Sequence, residues 1–306
     1  MRAVIREFGR TTDVGAVRHH RVMSAPADVH HLVERLVSEP GMAASHRGIL
    51  ARPDALAFSL RRIEPAADLA WCVDRYWIVE WNRTDSTPGE GRVLPHPCVN
   101  VALEQGRLNA HGVATEVFVR RLVGSGRVFG IKFRPGGFRP FADRRVSMLT
   151  DRVQPASALV PGASSLEAAL RDGTDDEQVA ATQAFLRSRS IEPDPRALLV
   201  NAVTDALVGS PGVTRVSHVQ TMFDVGERAL QRTFAEYLGV TPRWVLRRAR
   251  LHLAAERVIE LATQGSARGW ADVAVELGYV DQAHFIHDFK AVIGETPARW
   301  AASLEQ

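Results

Sequence analysis

The chain has 306 residues, of which 45% are hydrophobic and 24% charged, and its formal net charge is +3. That is the make-up of a globular protein with a sizeable core and length for about two domains, and it excludes a disordered polycation. Two cysteines are too few for a disulfide framework, and no apolar run approaches the roughly 18 residues of a membrane-spanning helix. Almost all the positive charge is arginine, since Lys132 and Lys290 are the only lysines. Arginine is a neutral choice for a surface and a good one for phosphates and guanine edges, onto which its planar guanidinium forks.

Residues 1–55 form a mixed extension. Within it "APADVHHLVERLVSE", Ala25 to Glu39, places Val29, Leu32, Val33, Leu36 and Val37 on one helical face. "EPGMAASHRG" then breaks the pattern, and translation from Met42 rather than Met1 is equally compatible with it. The N-terminus has no continuous apolar region of the secretory kind, so a cytoplasmic protein is expected.

Residues 56–160 are strand-like. "ALAFSLRRI", "WCVDRYWIVEW", "CVNVALEQGRL", "ATEVFVRRLV" and "GRVFGIKFRPGG" are short runs rich in aromatic and β-branched residues, punctuated by Gly, Pro and Asn. In the last run Val128, Gly130 and Lys132 alternate with Phe129, Ile131 and Phe133, as in a strand with one buried face. Such spacing predicts a sheet sandwich or barrel. Residues 161–192 are Ala-rich with acidic starts and Arg ends, which predicts a short helical connector whose termini suit the helix dipole. The Pro-rich "IEPDPRA" marks a boundary, beyond which residues 193–306 read as helical almost throughout. The expected fold class is therefore α+β.

The last domain repeats itself. Phe234, Gly239, Thr241 and Pro242 recur at one fixed offset as Phe289, Gly294, Thr296 and Pro297, and a Trp follows each set, Trp244 and Trp300. Thr caps free backbone N–H groups and Pro at the first helical position forfeits no hydrogen bond, so each Thr-Pro starts a helix. Each Gly supplies the left-handed residue that ends the helix before it. Two apolar helices joined by a short turn, the second ending cleanly, make a helix-turn-helix unit in which the second helix is presented. Leu230 and Phe234 define the inner side of the first such helix, leaving Arg228, Gln231 and Arg232 outside. Phe285 and Phe289 do the same for the second, leaving Gln282, Ala283, Ile286 and His287. "TPRWVLRRARLHLAAERVIELA" joins the units as one helix of about 30 Å, close to a DNA turn, so both presented helices could enter successive major grooves. Arg243, Arg247, Arg248 and Arg250 cluster near its start, where a phosphate clamp is expected.

On "RALQRTFAEYLGVTPRWVLRRARLHLAAERV" and "VAVELGYVDQAHFIHDFKAVIGETPARW" the C-terminal third resembles the DNA-binding domain of the AraC/XylS family of bacterial transcription regulators. The resemblance implies base contacts from Arg228, Gln231 and Arg232 and from Gln282, Ala283, Ile286 and His287. It implies double-stranded promoter DNA as partner, with RNA polymerase, a small effector of unknown identity and a second copy of the chain as further ones, and no membrane. The first unit departs from the pattern: Gln220 stands for the usual small Ala, Asp224 for the turn Gly and Gly226 for a Ser-type cap. "RGILARP", "VDRYWIVEW" and "VFGIKFRPGGFRPF" are similar to a sensor domain carried by a subset of these regulators, which implies a small, cupin-like β-barrel.

The N-terminal half shows no catalytic set. His19-His20 and His30-His31 are adjacent pairs that point apart, and His96 with His111 lacks the third ligand of a metal cupin. No enzyme, metal or cofactor is expected. Trp77 and Arg134 are the candidate ligand contacts, within an aromatic surface suited to a pocket. The alternative is a bifunctional protein with a metal-cupin activity or an alkyl-transfer activity, the latter needing a reactive setting around Cys72 or Cys98 that the sequence does not display.

Overall fold

The computed structural model describes residues 48–50, 58–83, 89–210, 212–264 and 269–304. The helix expected over Ala25 to Glu39, the four His before residue 32 and the choice of Met1 or Met42 all lie outside the described residues.

The strand-like runs become β1 (Ser59–Ile63), β2 (Val73–Asn82), β4 (Asn100–Glu104), β5 (Arg107–His111), β6 (Phe118–Leu122) and β7 (Ser125–Phe133). With β8 (Val153–Pro155) they build an antiparallel sheet in the order β1-β2-β7-β4-β5-β8, while β6 pairs separately with β3 (Gly89–Val93). The β-rich domain is thus an open sheet plus a two-stranded ribbon among the described residues. Strand β3 is not legible in the sequence, because "GEGRV" carries two glycines and two charges and is held by its partner, not by its propensity.

Period-two alternation sorts the sheet's faces. Tyr76 and Ile78 lie opposite Ile131 and Phe129, which in turn lie opposite Val101 and Leu103. All six are buried in one cluster. The helices expected as a connector, α1 (Ala163–Leu170) and α2 (Asp175–Ser188), do not stand apart from it. Leu166, Leu170, Val179 and Leu186 join that same cluster and cover the sheet. The reason is general: an apolar sheet face must bury itself against another layer, and these are the next apolar elements in the chain. Thr174 and Glu177 close a capping box at the start of α2.

The helical domain follows as α3 (Pro195–Gly209), α4 (Val216–Met222), α5 (Glu227–Tyr237), α6 (Pro242–Gln264), α7 (Trp270–Glu276), α8 (Gln282–Ile293) and α9 (Pro297–Leu304). The first unit, α4–α5, shares a core with α3 and the start of α6, including Val203, Val219, Leu230, Phe234 and Val245. The second, α7–α8, shares a different core with α9 and the rest of α6, including Val258, Val273, Phe285, Phe289 and Trp300. Helix α6 has 23 residues and is therefore about 34 Å long.

Candidate nucleic-acid interface

Backbone geometry at the two turns accounts for the sequence differences between the units. Gly278 sits in the left-handed region at φ 72°, as a turn glycine should, and Asp224 occupies the corresponding place at φ 46°. Asp is among the few residues that accept this conformation. Each turn is closed by one equivalent hydrogen bond, from Val225 N–H to the Gln220 carbonyl (3.0 Å) and from Tyr279 N–H to the Ala274 carbonyl (2.9 Å). Ala274 is fully buried at the helix crossing, whereas Gln220 is half-buried. Asp281 caps α8 by accepting from His284 N–H at 2.7 Å, while Gly226 starts α5 with no side-chain cap.

The helix boundaries follow the Thr-Pro and Gly signals. Thr241 accepts from Trp244 N–H at 3.1 Å and Thr296 from Arg299 N–H at 3.4 Å, each capping the helix that its Pro begins. Gly239 at φ 88° and Gly294 at φ 98° end the presented helices. Leu230, Phe234, Phe285 and Phe289 are completely buried. On the opposite faces Arg228, Gln231 and Arg232 of α5 and Gln282, Ala283 and His287 of α8 are exposed. Ile286 is half-buried and rests against the second unit's core. Gln231 is steadied by Glu227, whose carboxylate accepts from its amide at 3.0 Å.

The four arginines clustered on α6 have different surroundings. Arg248 is 2% exposed, donates to the Thr115 carbonyl of the N-terminal domain and lies 4.6 Å over the Trp244 ring. Burial, with Arg247 alongside, lowers its pKa to about 10. It points inward because α6 is the spine of the domain, and at this position its inner face meets another domain instead of solvent. Arg247 is half-exposed but forks onto Asp288 of α8 at 2.8 to 3.2 Å. Arg250 donates to the Thr214 carbonyl at 2.6 Å. Arg243 is exposed, with its side chain turned to solvent.

Of the candidate ligand contacts, Arg134 forms an ion pair with Asp205 of α3, so it joins the two domains. Its turn, "RPGG", docks the helical domain: Gly136 N–H donates to Asn201 Oδ1 (2.8 Å), and Asn201 donates to the Trp71 carbonyl (2.8 Å). Trp77 lies on the sheet face opposite to Tyr76 and Ile78, flat against Gly130, and its indole donates to Asn100 at 3.2 Å. The register sets Arg62 beside Trp77, and Arg75, Lys132, Asn100 and His111 in a row along the same face. Both cysteines are buried and free. Burial pushes the Cys72 thiol up to about 12 and raises that of Cys98 as well, so neither offers a thiolate near neutral pH. His96 faces α6 and stacks on His252 with ring centroids 4.4 Å apart. These interdomain contacts escape sequence reading, because an arginine that serves a neighbouring domain and one that serves a ligand look alike.

Two helix-turn-helix units on one long helix, each presenting the outer face of its second helix, define a DNA-binding domain of the bipartite type. Residues 220–303 match the family model described as a helix-turn-helix domain, and residues 61–155 match one described as a domain of unknown function (DUF6597). The C-terminal domain is thus a helix-turn-helix domain of the AraC type. No curated protein matches it in sequence. Among solved structures, ToxT from Vibrio cholerae is similar at 10% identity and TM-score 0.37, covering 82% of this chain and all of that one. ToxT with unsaturated fatty acid bound is similar at 10% identity and TM-score 0.33, covering 85% of this chain and 97% of that one. Both likenesses are remote. Among the described residues no helix is long and apolar enough to cross a membrane.

Proposed function

We propose that this chain is a sequence-specific regulator of transcription that reads two successive major-groove segments with α5 and α8. The observation that carries it is the sorting of those two helices. Their apolar sides are fully buried, while Arg228, Gln231 and Arg232 on one, and Gln282, Ala283 and His287 on the other, are exposed. Arg and Gln supply the paired donors that discriminate guanine and adenine edges, and Ile286 and Ala283 supply apolar contact of the kind a thymine methyl takes. Arg243 is the phosphate contact of α6.

The N-terminal domain regulates this reading and catalyses nothing. It has no ionised thiol to transfer an alkyl group, and it is bonded directly to both helix-turn-helix units. An effector taken up on the sheet face around Trp77, or a second copy of the chain, changes DNA affinity only by its unequal affinity for two arrangements of these domains. Capture of genomic fragments by the full chain tests the proposal. One recurrent sequence should be recovered, with affinity falling steeply in salt as phosphate contacts release counterions. Recovery of unrelated sequences alone would refute specific reading.

A further inference from the structure

We infer that the N-terminal domain sets the spacing at which the two recognition helices read DNA, by holding the C-terminal end of each, Thr150 at α5 and Arg92 at α8. The inference rests on the reading of α5 and α8 as DNA-reading helices.

Helix α5 runs out at Gly239, whose carbonyl accepts from the Thr150 hydroxyl at 2.9 Å. The fit is close: a Cβ on Gly239 would stand 2.5 Å from that hydroxyl and 3.1 Å from the Val146 carbonyl. In the last turn of α5, Glu236 pairs with Arg139 at 3.4 Å, and the same guanidinium lies 6.0 Å from the Tyr237 ring centre. Helix α8 ends at Ile293, whose carbonyl accepts from Arg92 at 3.0 Å. A cation there complements the negative end of the helix dipole. Beside it Leu50 and Leu94 of the N-terminal domain are buried in one core with Phe285, Phe289, Ile293 and Trp300.

Arg92 and Thr150 belong to different parts of the N-terminal domain. Arg92 lies in the β3–β6 ribbon, whereas Thr150 follows the short helical turn Val146–Met148 that is packed into the main sheet's core. Arg120 of β6 and Glu104 of β4 form a two-pronged ion pair that ties ribbon to sheet, one prong at 3.0 Å. Between the two end contacts the domain also grips α6, through Thr115 on Arg248 and through His96 on His252. The two units themselves are buried in separate cores, joined along α6. Their relative placement is therefore fixed by α6 together with the N-terminal domain, which spans from one to the other. Both contacts fall at helix C-termini and leave the outward side chains free.

The test uses the full chain and the DNA site recovered by capture, together with versions in which the two halves of the site are moved apart or together by one to three base pairs. The unaltered protein should lose about tenfold or more on each respaced site, the scale of a lost base-pair contact. Arg92→Ala and Thr150→Val should bind the original site within a few-fold and flatten the penalty for respacing several-fold. Arg92→Lys, which keeps a cation at the helix end, should restore part of it. Thr150→Val exchanges a hydroxyl for a methyl of similar size and serves if Arg92→Ala does not fold. An unchanged spacing penalty in Arg92→Ala, Thr150→Val and their combination would overturn the inference while leaving DNA reading intact. An unaltered protein that binds no specific site would sink both.

Discussion

Replacing Arg248 by Ala separates a buried interdomain cation from a phosphate clamp. The side chain is 2% exposed, donates one hydrogen bond to the Thr115 carbonyl and stacks on Trp244. A hydrogen bond from a charged donor is worth about 1.5–3 kcal/mol, and a desolvated cation–π contact about 1–2 kcal/mol. Burial works against both, as the lowered pKa of about 10 shows, and Nη1 has no partner among the described residues. The net loss on truncation is then roughly 2–4 kcal/mol, much of it from the stranded Thr115 carbonyl and the space left beside Trp244. Urea unfolding of the full chain should show that loss as a lower midpoint. DNA binding by the folded variant should keep its dependence on salt. A phosphate contact would behave oppositely, with an unchanged midpoint and a salt slope reduced by about one. That pair of results would refute the assignment of Arg248 to the domain interface.

Arg232→Ala and Gln282→Ala should each weaken specific DNA binding by about 1–3 kcal/mol without lowering the unfolding midpoint; binding that is unchanged, or a variant that unfolds, would show that these residues do not face the groove. Gly137→Ala should give a chain that folds poorly, because the added carbon would meet the Cys72 carbonyl oxygen at 2.1 Å and Cys72 Cα at 2.7 Å, and backbone cannot step aside; a midpoint equal to that of the parent would contradict this packing. Burial raises the Asp74 carboxyl, but Lys132 and Arg75 together outweigh it and hold it below the ordinary carboxylate range. A group depressed in the folded state contributes stability above its unfolded pKa of about 3.9 and loses it as pH falls through the lower folded value. Asp74→Asn should therefore be less stable than the parent near pH 7, with the difference closing below about pH 4; a difference independent of pH would show that the charge is not involved.

The sequence by itself determined the reader. Local chemistry starts and stops each helix there, at Thr241-Pro242, Thr296-Pro297, Gly239 and Gly294, and a helical period of 3.6 sorts the sides of α5 and α8 without help from the rest of the chain. The tolerated Asp224 was equally legible, since which residues accept a left-handed turn is a local property. Alternation likewise exposed the buried face of β7. Only the tertiary structure decided the partners. Arg134, Arg247 and Arg248 are arginines on exposed-looking positions of strand end and helix, and each serves another element: Asp205, Asp288 and the Thr115 carbonyl. Helices α1 and α2 read as a connector because their own composition is weakly apolar, yet the sheet recruits them as its second layer. Strand β3 exists through its pairing with β6. Long-range pairing depends on which surfaces meet, and a residue's type and its near neighbours in sequence carry no record of that.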